Sequence, residues 1–213
     1  MKNLMEMMKD WNLVKDRLIL SVCNANKKGL DGIVHTNIED LVLVPKVLVS
    51  LKPDFAAAAI PKDFCTTYYG VTEDDLILQA KQNAPKNLPL VLKPLESMLI
   101  DELGVPKDIV GENTLEDKEG FLILTNTQKV YGAATMFYPN VMETINSIYG
   151  DYYIIPSSIH EVLLLKKQED LQMDESALLR MVQEVNYETV SERDFLADSL
   201  YVYDSTAGFH KVL

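Results

Sequence analysis

Two short apolar runs, Tyr152–Ile155 and the Val-Leu-Leu-Leu at 162–165, flank the link Pro-Ser-Ser-Ile-His-Glu. Runs of this length, rich in aromatic and branched side chains, read as strands. Pro156 cannot donate to a ladder, and Ser157 and Ser158 can bond to nearby backbone, so residues 156–158 break the extended run. A pairing of the two runs puts His160 and Glu161 at the start of the second strand, facing opposite sides of the sheet.

The rest of the chain reads around this pair. The first twenty residues place Leu4, Met5, Met8, Trp11 and Leu18 at helical spacing. Residues 41–50 suit a buried strand, and after a Lys-Pro-Asp turn residues 55–60 form its hairpin partner. Pro61 opens a helix ended by Gly70. Thr72 caps the next helix, whose acidic first turn suits the helix dipole and which Pro85 is expected to stop. Three prolines between 83 and 94 predict an extended surface crossing. A helix over 94–103, a loop over 104–120, a strand over 121–125 and a Gly-bearing strand over 130–137 follow. Pro139 opens a helix with Val141, Met142, Ile145, Ile148 and Tyr149 inside, and Asp174 caps another. Ser191 starts a helical turn reaching 197, residues 199–203 form a strand, and the tail is loose.

The pattern predicts an α+β fold, with a mixed or antiparallel sheet and helices packed mainly on one face. Residues 1–40 read as a helical or irregular segment, 41–103 as a hairpin plus helices, 104–120 as a loop, 121–204 as the α+β core and 205–213 as a tail. One compact domain and two closely packed lobes both fit.

Charge narrows the partners. The chain has 213 residues with 32 acidic against 20 basic and a net charge of −12, which opposes phosphate backbones and anionic lipid surfaces. No nucleic acid and no membrane is therefore expected. The only cysteines, Cys23 and Cys65, lie outside any CxxC spacing and read as free thiols of a reducing cytoplasm. The start lacks an uninterrupted apolar run and cleavage site, and no stretch is long enough to span a bilayer.

The run FLILTNTQKVYGAATMFYPNVMETINSIYGDYYIIPSSIHEVLLL resembles a family of uncharacterised bacterial proteins, a domain of unknown function. The resemblance rests on Leu124-Thr125-Asn126, Gly132-Ala133-Ala134, Tyr138-Pro139, the segment 155–158, His160-Glu161-Val162 and Asp198-Ser199 with Tyr201 and Tyr203. It extends over most of residues 40–204 and implies no activity.

Ser157, Ser158, His160 and Glu161 are the candidate catalytic residues, because a serine activated by a histidine that a carboxylate orients is an acyl-transfer nucleophile. Two features oppose a local triad. His160 and Glu161 face opposite ways, and no GxSxG elbow surrounds either serine. A metal is not expected: the other histidines, His35 and His210, stand in no ligand spacing. No cofactor is expected either, since Gly132-Ala-Ala134 lacks the phosphate-loop patterns and reads as packing. The sequence therefore points to a non-catalytic cytoplasmic protein- or ligand-binding domain, with a protein partner or homodimer. The alternative is a hydrolase or transferase using His160 with Ser157 or Ser158 and a distant carboxylate.

Overall fold

The computed structural model describes residues 4–52, 54–103, 120–156, 158–167 and 174–212. The strands β1 (Leu18–Asn24), β2 (Thr36–Ile38), β3 (Leu41–Ser50) and β4 (Ala56–Ala59) make one antiparallel sheet. β1 lies along one edge of β3, and β2 and β4 share the opposite edge end to end. The strands β5 (Leu90–Pro94), β6 (Phe121–Asn126), β7 (Tyr152–Ile155), β8 (Val162–Lys166), β9 (Tyr201–Asp204) and β10 (Gly208–Lys211) make a second antiparallel sheet, ordered β10-β9-β7-β8-β6-β5.

Helices α1 (Leu4–Met8), α2 (Trp11–Val14), α3 (Lys62–Phe64), α4 (Glu73–Asn87), α5 (Leu95–Leu103), α6 (Val141–Tyr149) and α7 (Glu175–Thr189) lie around and between these sheets. One buried cluster joins the sheets. It runs from Leu20, Val22, Leu41 and Leu43 through the 3-10 segment Gly132–Phe137 to Leu124, Tyr152, Ile154, Val162 and Tyr201. Such side chains each contribute about 1.5–3 kcal/mol when fully buried. Tyr152 and Tyr201 keep their hydroxyls satisfied inside it, on Met142 O (3.2 Å) and Asp40 Oδ1 (2.5 Å). On the other face of the second sheet, Tyr153, Ile155 and Val202 pack against Leu178 and Val182 of α7. α4 covers the first sheet, with Leu76, Ile77 and Ala80 against Leu18 and Val47.

The fold is α+β with antiparallel sheets, as the sequence pattern predicts. The sheets number two, and the larger carries helical segments on both faces because Tyr153 and Ile155 are as apolar as the alternate residues Tyr152 and Ile154. The hairpin of β3 with β4 forms as read, with Lys46 opposite Ala59. So does the capping box of Thr72 and Asp75 at the start of α4.

Several local readings change. The N-terminal helical pattern ends in a 3-10 turn at Lys15–Arg17, and Leu18 starts a strand buried on both faces. Pro85 lies inside α4, where a missing amide near the last turn costs one hydrogen bond only. Residues 90–94 are the last described strand of the larger sheet, a position that tolerates Pro94 at its end. Residues 132–137 coil instead of extending, because Tyr131 takes a positive φ of 57° and the small Gly132-Ala-Ala packs the coil under the strands. Ser191 starts a single turn at 192–194 and no helix follows. The tail pairs as β10 with β9 from Gly208 to Lys211. The loop read at 104–120 lies outside the described residues except for Gly120.

Candidate functional site

β7 and β8 pair antiparallel with Ile155 opposite Leu163, so the link 156–161 stands at one end of the larger sheet. His160 and Glu161 belong to this link, since β8 begins at Val162. Ser158 folds the link on itself. Its amide donates to Glu161 O (3.2 Å), its Oγ accepts from the His160 amide (3.0 Å), and that Oγ donates to Glu161 Oε1 (2.7 Å). A serine so placed satisfies local backbone. Ser157 lies outside the described residues.

Three other elements hold the turn. The Ile159 amide donates to Asp194 O at 2.8 Å, and the Ala133 amide donates to Ile159 O at 3.3 Å. Thr125 Oγ1 donates to His160 O at 2.8 Å. Gly132 lies so close that a Cβ there would stand 2.1 Å from His160 O and 2.2 Å from Thr125 Oγ1. Packing is therefore what the Gly-Ala-Ala segment provides.

The His160 ring is used on both sides. The Tyr131 amide donates to Nδ1 at 3.4 Å, which leaves the hydrogen on Nε2, 3.3 Å from Asp194 Oδ1. This tautomer is the one that satisfies both contacts. Tyr131 stacks on His160 with its ring inclined by 19°, and Lys46 Nζ sits 4.4 Å from the Tyr131 ring centre. Asp194 is held below the usual carboxylate range, chiefly by the Ser191 hydroxyl donating to Oδ2. Slight desolvation opposes this, while the His160 contact and the nearby Arg193 add to it.

An imidazole thus meets a carboxylate from a remote segment, but among the described residues no hydroxyl stands within hydrogen-bond reach of either ring nitrogen. The pair can orient and hold a proton; it has no nucleophile to activate. Glu161 is directed to Ser158 and not to the imidazole. Asp194 was legible only as a turn residue, because its partner is 34 positions away. Lys46 carried no signal of such a role in the sequence.

His35 Nδ1 contacts Ile33 O at 2.9 Å, and His210 Nδ1 lies 3.7 Å from Asp204 Oδ2. Among the described residues no group of three His, Cys, Asp or Glu side chains could hold a metal ion. Cys23 and Cys65 are both buried free thiols. No helix of the described residues is long and apolar enough to cross a membrane.

The described residues also form several concavities. A cleft of about 890 Å³ opens between the loop after β1 and the segment before β9, lined by Asn26, Lys27, Lys28, Arg193, Phe195 and Ser199 among others. A smaller apolar groove of about 240 Å³ lies between β5 and α6, lined by Leu90, Leu92, Ile145 and Ile148 among others.

No curated protein and no solved structure matches the chain. The model of a family of unknown function, DUF5688, matches residues 1–205, almost the whole of the 213, and the chain belongs to that family.

Proposed function

We propose that this protein is a non-catalytic cytoplasmic domain that binds a small molecule in the cleft between the loop after β1 and residues 192–199. The observation that carries the reading is the cleft itself, whose volume of about 890 Å³ is of the size that holds a small ligand. Its walls are held in place. Asn24 Nδ2 donates to Leu196 O at 3.0 Å across it, and Ser199 Oγ donates to Asp40 Oδ2 at 2.6 Å at its base. Ligand-observed NMR with a panel of anionic, cationic and neutral metabolites tests the reading. Asn26→Trp, at an exposed position on the wall, should abolish binding without lowering the melting temperature. Binding that persists in that variant would place the site elsewhere.

The hydrolase or transferase reading draws support from the His160–Asp194 contact alone. His160→Ala is expected to lower stability by about 1–2 kcal/mol, the worth of its two hydrogen bonds, one of them to a charged group. Unchanged melting together with lost turnover of a bound compound would instead favour an enzyme. A protein partner or homodimer draws support from the apolar groove, where Ile148 is 75% exposed. Light scattering showing a strict monomer at high concentration would exclude the homodimer.

A further inference from the structure

A cavity of about 90 Å³ shares Lys27 and Lys28 with the cleft but differs from it in charge. Its floor is one face of the first sheet. Ser21 pairs with Val44 and Ile19 with Lys46, so the period of two puts Ser21, Cys23, Val44 and Lys46 on the same face. Leu20, Val22 and Leu43 turn the other way, into the main core. The loop after β1 packs Leu30 and Ile33 against Cys23 and Val44. Lys27, Lys28 and Tyr131 complete the lining.

No carboxylate of a described residue lines this cavity. Asp40, Glu192 and Asp198 belong to the larger cleft, and Asp194 is bonded to His160 Nε2. Lys27, Lys28 and Lys46 form no ion pair with a described residue. Lys46 Nζ donates to Tyr131 Oη at 3.3 Å, which leaves two of its three N–H groups without an acceptor among the described residues. Tyr131 Oη accepts that bond, and its own hydrogen meets no described acceptor. Ser21 Oγ instead donates to Val44 O at 3.0 Å. Burial pushes the Cys23 thiol up, and the charges of Lys27 and Lys46 act on it in the opposite sense, so both fields reach the cavity floor. A partly enclosed concavity lined by one sign of charge focuses that field and raises the local concentration of anions.

We propose that this cavity binds one small oxyanion, a carboxylate or a phosphate group, held by Lys46, the Tyr131 hydroxyl and the ammonium groups of Lys27 and Lys28. Such a group only accepts hydrogen bonds, which matches the free donors of Lys46 and Tyr131. The volume suits a single group and falls below the roughly 300 Å³ at which sites for drug-sized ligands begin. The site goes beyond the cleft of the proposed function, since Lys46 and Tyr131 line this cavity and not the cleft.

Titration of the full chain at low ionic strength, followed by amide NMR, tests the proposal with inorganic phosphate in one arm and acetate in the other. At least one anion should give saturable shifts at residues 27–33, 44–46 and 131, and added salt should weaken its binding. Tighter phosphate binding would identify a phosphate group as the natural occupant, and tighter acetate binding a carboxylate. Lys46→Met keeps the apolar stem and should weaken binding by about tenfold or more, the worth of a hydrogen bond to a charged group. Lys46→Arg should retain it. Lys27→Met/Lys28→Met, at exposed positions, carries the same test should Lys46→Met fail to fold. Asn26→Trp fills the cleft and not this cavity, so it should leave anion binding unchanged. Failure of both anions to bind at millimolar concentration would overturn the proposal, as would equal binding by the wild type and the lysine variants. Loss of anion binding in Asn26→Trp would also overturn it, by placing the anion in the cleft.

Discussion

Gly132→Ala is expected to destabilise the protein by roughly 3 kcal/mol, the upper end of what overpacking a tight contact costs. The added methyl would overlap His160 O at 2.1 Å and Thr125 Oγ1 at 2.2 Å, and it would press the Asn126 amide nitrogen at 3.0 Å. Two of these are backbone atoms. Thr125 Oγ1 in turn donates to His160 O, so relief by rotation of that side chain loses a hydrogen bond. For a chain of this length the loss corresponds to a fall in melting temperature of about 6–12 °C. Gly32→Ala is the control: nothing lies within 4 Å of its Cβ position and no positive φ is required there. It should change stability by no more than about 1 kcal/mol, in the stabilising direction. Equal melting temperatures for the two variants would show that the coil Gly132–Phe137 does not bear on the 156–161 link as the geometry requires.

Asp40→Ala is expected to cost about 2–3 kcal/mol at neutral pH. The carboxylate joins the two sheets, accepting from Ser199 Oγ, Tyr201 Oη and Lys211 Nζ. Tyr201 is fully buried, and its hydroxyl would be left without an acceptor, a loss on the order of 1–3 kcal/mol. The ion pair with Lys211 adds little, since solvent screens both groups. Burial pushes the Asp40 carboxyl up, but the bonds from Ser199, Tyr201 and Lys211 together outweigh it and hold the group below its ordinary range.

That depression fixes the pH dependence. The folded pKa lies below the unfolded value of about 4, so the contribution is fully present above the unfolded value. It is lost as pH falls through the folded one. Chemical denaturation should therefore give a constant difference between wild type and Asp40→Ala above about pH 5, shrinking in acid. A difference that grows as pH falls would contradict the assignment. Burial, together with the bond to Asp40, also pushes the Tyr201 hydroxyl far up, so Tyr201 stays a donor throughout this range.

Some of the molecule is legible residue by residue. The apolar runs around 152–165 name their own strands, and Thr72 with Asp75 names the start of α4, because these signals act within a few positions along the backbone. Gly132 announces a close approach without saying to what. The small residues after it suit a strand equally well, and only the positive φ of Tyr131 and the coil's place in the core decide against one. The strand at Leu18 was masked by a neighbouring helical spacing, and β10 by its few residues and polar flanks.

The serine–histidine link shows the same division. Its chemistry was named from Ser157, Ser158, His160 and Glu161, yet Ser158 bonds to the glutamate and the imidazole bonds elsewhere. Local composition determined that this chain would be an acidic α+β protein with a tight turn between two buried strands. Tertiary structure alone decided that His160 would meet Asp194, that Asp40 would join Ser199 across 159 positions, and that Lys27, Lys28 and Arg193 would line one cleft with Asp40, Glu192 and Asp198. The reason is physical: hydrophobic period and backbone sterics are properties of neighbouring residues. A charge finds its partner only after the sheets have packed, and the linear chain carries no record of that distance.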